Sequence, residues 1–278
     1  MSKKIRAILM DMDGTLLSGS QVAVSVANMT AIQQAIDQGI HVIPCTGRVY
    51  NMLPPQLQTE RGLRYYITSH GARVYDRQTG ESLYEYLISA EAAAKLMEYL
   101  EGKGLYNEVA ANATIYFEKA VEELMHTAIV PEHHIWYLRD RCYTTVEKPS
   151  AYFAAHNIGV EKMNIYGIPA HLQQEVYDFV TESGIVSYTR PGAGPNLEFS
   201  SCGLNKINAV DVVLERLGVS YEETLAIGDS SSDLEIIKAC GIGVAMGNAP
   251  DFVKEAADYV TDENTADGLA KALWDYVL

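Results

Sequence analysis

Apolar and polar positions fall in blocks along this chain, and the period of the pattern changes from block to block. Ile5 to Met10 is an almost unbroken apolar run ending at an acidic, glycine-containing turn, the pattern of a strand buried on both faces. Ser25 is placed to cap a helix carrying Val26, Met29, Ile32 and Ile36 on one face, Gly39 to end it, and Ile40 to Cys45 is a second apolar run. Strand, helix and strand in that order predict a parallel pair joined by a crossover. This is the opening of a doubly wound sheet, whose ligands bind beyond the carboxyl ends of the strands. The same order returns later in the chain. A helix over Lys206 to Leu217 stops at Gly218, a strand covers Thr224 to Ile227, a helix Leu234 to Ala239, a strand-like run Gly243 to Ala245, and a closing helix Ala266 to Tyr276.

The intervening segment reads differently. Helical stretches at Ala90 to Glu101 and Leu172 to Glu182 accompany strand patterns at Glu108 to Ala110, Ile115 to Glu118 and Lys162 to Tyr166, with more tyrosine and no phosphate-binding turn. The expectation is a core built from residues 1–82 and 189–278, interrupted by an inserted α+β cap domain over 83–188. No internal repeat or low-complexity tract interrupts this order.

Composition narrows the partners. A chain of 278 residues, 48% hydrophobic, is long enough for two modest cores. Its net charge of −15, from 21 basic and 36 acidic residues, would repel a nucleic-acid backbone or an anionic membrane. An anionic substrate is still allowed, because a bound divalent cation and a few donors can reverse the potential inside one cleft. Cys45, Cys142, Cys202 and Cys240 are widely spaced and form no CxxC pair, which suits reduced thiols. The apolar run after Arg6 is cut at Asp11, too early for a secretion-signal core, and no stretch approaches the roughly 20 apolar residues of a membrane span. A cytoplasmic protein is expected.

The chemistry concentrates at the carboxyl ends of the predicted strands. Asp11 and Asp13, two residues apart ahead of Gly14, are suited to a division of labour in which one carboxylate attacks phosphorus and the other handles a proton. Standing alone, such a pair reads equally as a solvated turn. Thr46-Gly47-Arg48 follows the second strand, where a hydroxyl and a glycine amide can hold phosphate oxygens, or Thr46 can simply cap a helix. Lys206 opens a helix after the strand-like Leu197 to Phe199 and can neutralise both a carboxylate and a phosphate, although a lone lysine is ordinarily a solvated charge. Asp229 and Asp233, in Gly228-Asp229-Ser230-Ser231-Ser232-Asp233, can join Asp11 and a backbone carbonyl around magnesium, or serve as a helix cap. Zinc is disfavoured: no His/Cys cluster has suitable spacing, and the adjacent His133 and His134 read as a surface loop.

In its ordered motifs Asp11-x-Asp13-Gly14-Thr15-Leu16, Thr46-Gly47-Arg48, Lys206 and Gly228-Asp229-(x)3-Asp233, the chain resembles the haloacid dehalogenase superfamily, and within it the Cof-type phosphatase branch. Ser69-His70-Gly71-Ala72, Gly243 to Ala249 and Asp262 to Leu269 extend the likeness over most of the chain. The resemblance implies a Rossmann-like core with a large α/β cap. It further implies Asp11 as nucleophile and magnesium ligand, and Asp13 as general acid and base lending its backbone carbonyl to the metal. Thr46, Gly47 and Lys206 would bind phosphate, and Asp229 and Asp233 would hold Mg2+. Two positions depart from the family pattern: Ser232 and His70 stand where asparagine is usual. Ser232 keeps a hydroxyl for phosphate but with shorter reach, and His70 is either a substrate contact or a turn-stabilising surface residue.

The expected activity is hydrolysis of a small phosphorylated metabolite, such as a sugar phosphate, through an aspartyl-phosphate. Arg48, Arg190 and the aromatic-rich insert suggest such a polar substrate, with Arg48 as its candidate contact, and read equally as packing or surface charge. A phosphomannomutase-like phosphomutase would share that intermediate and differ in its phosphoryl acceptor. A binding or regulatory relative that has lost catalysis is the third reading, against which stands the retention of every residue with a chemical role.

Overall fold

The structure, a computed structural model, describes residues 4–17, 23–126, 142–190 and 195–278; His133 and His134 lie outside these. The chain divides into two compact units, Met1–Glu85 with Asn205–Leu278, and Tyr86–Leu204.

The first unit is organised by a five-stranded parallel sheet of order β14-β13-β12-β1-β2. β1 (Ala7–Met10) is flanked by β2 (His41–Pro44) and β12 (Thr224–Gly228), followed outward by β13 (Ile242–Ala245) and β14 (Tyr259–Val260). The apolar run of β1 is explained by cover on both faces. Ile8 and Met10 join Ala31, Ile32, Leu269 and Leu273 on one side, while Ala7 and Leu9 join Val210, Val213 and Ile236 on the other. All four strand side chains are fully buried, so Leu9→Ala would cost roughly 2–5 kcal/mol. An antiparallel sheet of β3 (Tyr65–Thr68), β4 (Arg73–Asp76) and β5 (Glu81–Glu85) continues this unit, joined to the end of β2 by a bridge between Cys45 and Ile67.

Ser25 caps the helix Val26–Asp37 as expected, accepting a hydrogen bond from the backbone N–H of Asn28 at 3.1 Å. The buried face shares Ile32 with the expected one, and Met29 and Ile36 are partly buried against the same core, but its centre is shifted. It runs through Asn28, Ala31, Ile32 and Ala35, and Val26 is 84% exposed. Asn28 turns the helix this way, because its amide donates to the carbonyl of Leu16 at 3.3 Å and accepts from the N–H of Ala270 at 2.9 Å. A buried amide with both ends satisfied fixes the rotation of its helix more firmly than one apolar residue does.

The second unit is a six-stranded sheet of order β10-β11-β9-β6-β7-β8, comprising β6 (Tyr106–Ala111), β7 (Thr114–Glu118), β8 (Tyr143–Val146), β9 (Lys162–Tyr166), β10 (Ser187–Thr189) and β11 (Leu197–Ser200). Its pairs are antiparallel except β7 with β8. Helices Ala90–Leu100, Pro149–His156 and Ala170–Ser183 cover one face through Leu96, Phe153 and Val176 against Val109, Met163 and Phe199. On the other face Glu108, Asn164 and Glu198 form a row across three strands. Asn164 donates to Glu108 at 3.2 Å, Lys162 pairs with Glu198 at 2.7 Å, and the side-chain oxygen of Asn164 is buried without a hydrogen-bond partner.

Leu197–Ser200 was expected in the core, yet it pairs with β9 and β10. The second unit therefore extends from Tyr86 to Leu204 and not over 83–188, and Leu83 and Tyr84 belong to β5 of the first. The alternation of Leu197 and Phe199 reports a half-buried strand but not which sheet receives it.

Candidate active site

Four chain segments bring functional groups to the carboxyl edge of the parallel sheet. Asp11 continues β1, its N–H donating to the carbonyl of Ile227 at 3.0 Å, so its position is fixed by the register of the two central strands. Its carboxylate is buried. Burial raises the Asp11 carboxyl well above the usual carboxylate range, and the charges of Asp233, Asp229 and Asp13 push the same way, opposed by Lys206.

Lys206 begins the helix Lys206–Leu217, capped by Asn205, and its Nζ is buried. The ammonium lies 2.8 Å from Oδ1 of Asp233 and 3.8 Å from Oδ1 of Asp11, and donates to the carbonyl of Cys45 at 3.4 Å. Burial opposes its charge, but the carboxylates of Asp233 and Asp11 outweigh that cost and hold its pKa above the ordinary lysine value. The Cys45 thiol, pushed up by burial, stays protonated and offers no nucleophile.

Asp229 and Asp233 leave the end of β12, the strand beside β1. Asp233 is fully buried and accepts from the N–H and hydroxyl of Ser230 at 3.2 and 2.9 Å. Asp229 accepts from the hydroxyl of Thr15 at 3.0 Å. Burial, with the charges of Asp233 and Asp13, raises its carboxyl to about 6 against the opposing hydrogen bond of Thr15 and the charge of Lys206. Asp11, Asp229 and Asp233 each offer an oxygen, all within 4.8 Å of one another. Three converging oxygens of like charge, without nitrogen or sulfur, are suited to a hard divalent cation. Gly14 is required here: with φ of 83°, it approaches Asp229 so closely that a Cβ would stand 2.3 Å from its carboxylate.

Asp13 does not belong to this group of carboxylates. Its side chain is 42% exposed and is held by Arg48, whose Nε donates to Oδ2 at 2.9 Å and Nη2 to Oδ1 at 2.5 Å. Arg48, expected to contact substrate, is 4% exposed, also donates to the carbonyl of Met52 at 3.2 Å and is the partner of Asp13 in this structure. Thr46 and Gly47 form the turn after β2, with the Thr46 hydroxyl accepting from the N–H of Arg48 at 3.1 Å. Ser232 lies in an exposed turn, its hydroxyl 2.8 Å from that of Ser230. Arg190, in the second unit, stacks over Tyr177.

Sequence reasoning assigned no task to Thr15, Ser230 or Asn248. Asn248 donates to the carbonyl of Gly14 at 2.8 Å and accepts from the N–H of Asn264 at 3.0 Å, bracing the turn that carries Asp13. The signal for Thr15 was its place in the Asp11 motif, and for Asn248 its place in the Gly243 to Ala249 stretch.

A family model for haloacid dehalogenase-like hydrolases matches residues 8–273. The Bacillus subtilis 5-amino-6-(5-phospho-D-ribitylamino)uracil phosphatase YcsE is 30% identical over 282 residues, which cover 99% of this chain and 96% of that one. A solved haloacid dehalogenase-like hydrolase from Bacteroides thetaiotaomicron is 27% identical with a TM-score of 0.82, covering 98% of this chain and 99% of its own. A solved subclass IIB sugar phosphatase of the same superfamily is 25% identical with a TM-score of 0.74, covering 98% of each chain. With motifs, sheet order and nearly full-length matches in agreement, the chain belongs to the haloacid dehalogenase-like hydrolase family.

Proposed function

We propose that this protein is a Mg2+-dependent phosphatase of a small phosphorylated metabolite, with Asp11 as its nucleophile. The observation that carries the reading is the setting of Asp11: a buried carboxylate at the end of the central strand, 3.8 Å from the Lys206 ammonium and grouped with Asp229 and Asp233. Asp11, Asp229 and Asp233 would hold Mg2+, with Asp13 contributing through its backbone carbonyl. When bound, the ion supplies positive charge against the phosphoryl oxygens. Thr46, Gly47 and Lys206 bind and orient the phosphate, and the charge of Lys206 opposes the burial that favours the protonated form of Asp11, as a bound cation would. Ser232 is an additional phosphate donor in this reading.

An oxygen of Asp11 attacks phosphorus, the ester P–O bond breaks, and the departing oxygen takes a proton from Asp13. Asp13, now a carboxylate, removes a proton from water. The resulting hydroxide attacks the aspartyl-phosphate, releasing inorganic phosphate and restoring Asp11. Arg48 fixes Asp13 in the carboxylate form that accepts the proton of water; the first transfer uses the protonated form, with one oxygen released from the Arg48 fork.

The unit Tyr86–Leu204 selects the substrate in this reading. Support comes from its buried polar row, where the unsatisfied Asn164 oxygen calls for a hydroxyl or N–H donor. The name of the B. subtilis relative, a phosphoribitylaminouracil phosphatase, and that of the sugar phosphatase both fit a hydroxyl-rich leaving group. The acidic charge and reduced thiols suit a cytoplasmic enzyme acting on neither nucleic acid nor membrane.

The test is rapid quench with a labelled phosphomonoester. A hydroxylamine-labile adduct should map to Asp11, Asp11→Asn should abolish it, and the product should be free phosphate. Label on serine or histidine, or an isomerised sugar phosphate as product, would refute the assignment.

A further inference from the structure

A left-handed turn stands beside the Thr46–Gly47 loop. Ser69, His70 and Gly71 follow β3 with φ of 51°, 57° and 94°, a run that is unfavourable for residues bearing a Cβ. The backbone of the turn accounts for its presence. The N–H of Ser69 donates to the carbonyl of Arg48 and that of His70 to the carbonyl of Thr46, each at 3.0 Å. Gly71 packs so closely on the start of the Lys206 helix that a Cβ there would stand 2.7 Å from the Lys206 α-carbon. The turn is thus a wedge between the phosphate loop and Lys206.

The imidazole lies across Gly47. A Cβ at that position would stand 2.4 Å from both Cε1 and Nε2 of His70, so the missing side chain is what admits the ring. This places a ring nitrogen against the loop whose glycine amide is proposed to receive the phosphate. We propose that His70 is a further substrate-binding residue, its Nε2 donating a hydrogen bond to the phosphoryl group seated on Thr46 and Gly47. The assignment rests on the phosphatase reading above and gives the departure from the family's asparagine a role at the reacting group.

The test compares the full-length protein with His70→Gly and His70→Asn, using 4-nitrophenyl phosphate as substrate and inorganic phosphate as inhibitor. Glycine adopts the positive φ freely, so His70→Gly keeps the wedge while deleting the ring. Loss of a hydrogen bond to a charged oxyanion should raise both KM and the phosphate inhibition constant by about tenfold or more. Thermal stability should hold or rise, and His70→Asn, which tolerates the same backbone and retains a donor, should recover part of the affinity. Wild-type KM and phosphate inhibition in His70→Gly would overturn the proposal. So would a defect confined to kcat with phosphate inhibition unchanged, which would assign the ring to loop geometry alone. If the wild-type protein with magnesium hydrolyses no phosphomonoester, the phosphatase reading fails, and calorimetric phosphate binding by the same variants still decides whether His70 contacts the anion.

Discussion

Arg48 grips Asp13 with two parallel hydrogen bonds while its third nitrogen donates to the carbonyl of Met52. A forked guanidinium fixes both the position and the plane of a carboxylate, which one ammonium cannot do. Arg48→Lys should therefore keep the charge but release Asp13. The expected loss is about 10–100-fold in kcat, set by the part that positioned acid–base catalysis plays. An alkyl phosphate, whose leaving group needs the proton, should suffer more than 4-nitrophenyl phosphate. A rise in KM of equal size for both substrates would return Arg48 to the substrate-contact role expected from sequence.

As a proposed metal ligand, Asp229 would link cation binding to pH. Burial first, then the charges of Asp233 and Asp13, raise its carboxyl to about 6 against Thr15 and Lys206. An unfolded aspartate titrates near 3.9, so the folded, metal-free protein holds this proton more tightly. That contribution to stability is complete below about pH 4 and is lost as pH rises through about 6. In the proposed reading a divalent cation would bind the carboxylate and replace the lost proton. Mg2+ should then raise Tm more at about pH 7.5 than at about pH 5. A thermal shift independent of pH across this window would count against Asp229 as a ligand, as would full activity after exhaustive chelation.

Lys206 sits buried between two carboxylates. Lys206→Met leaves Asp233 and Asp11 without their cation and should cost roughly 3–5 kcal/mol in urea unfolding, together with catalysis. Adding Asp233→Asn should recover part of the stability and none of the activity. Independent, additive losses would mean that the pair is not coupled as its 2.8 Å separation requires.

The boundary of the second unit has its own test. Replacing 86–204 with a short linker should yield a soluble first unit. Replacing 83–188 should yield an aggregating one, because Leu197 and Phe199, fully buried in the sheet with β9 and β10, would keep their strand pattern and lose both partners. Equal solubility of the two deletions would contradict the assignment of β11.

Legibility in the sequence followed the range of the forces involved. β1, the Ser25 cap and the Gly218 stop were readable because periodicity and capping act within one turn or strand. β3 and β4 were missed: β3 is only the four residues Tyr65–Thr68, and β4 carries Arg73 and Asp76, buried through pairing with Ser82, Glu85 and Arg64. The helix Pro149–His156 was missed as well, being two turns long with little amphipathic contrast. At the site, residue types and their spacing marked Asp11, Asp229, Asp233 and Lys206, which the fold brings together. The partner of Arg48 was not readable, since nothing near it in sequence distinguishes a guanidinium aimed at substrate from one aimed at Asp13.

The order of the parallel sheet also bears on how the chain can be made. β1 is translated before Tyr86–Leu204, yet its neighbour β12 is translated only after the whole of it. Among the described residues, every strand pairing of the second unit closes within its own span, so that unit can collapse while the central strand of the first still has one open edge. Until Thr224–Gly228 arrives, Ala7–Met10 is an apolar strand paired on one side at most, the stage at which nascent chains are most exposed to chaperones and to misassembly.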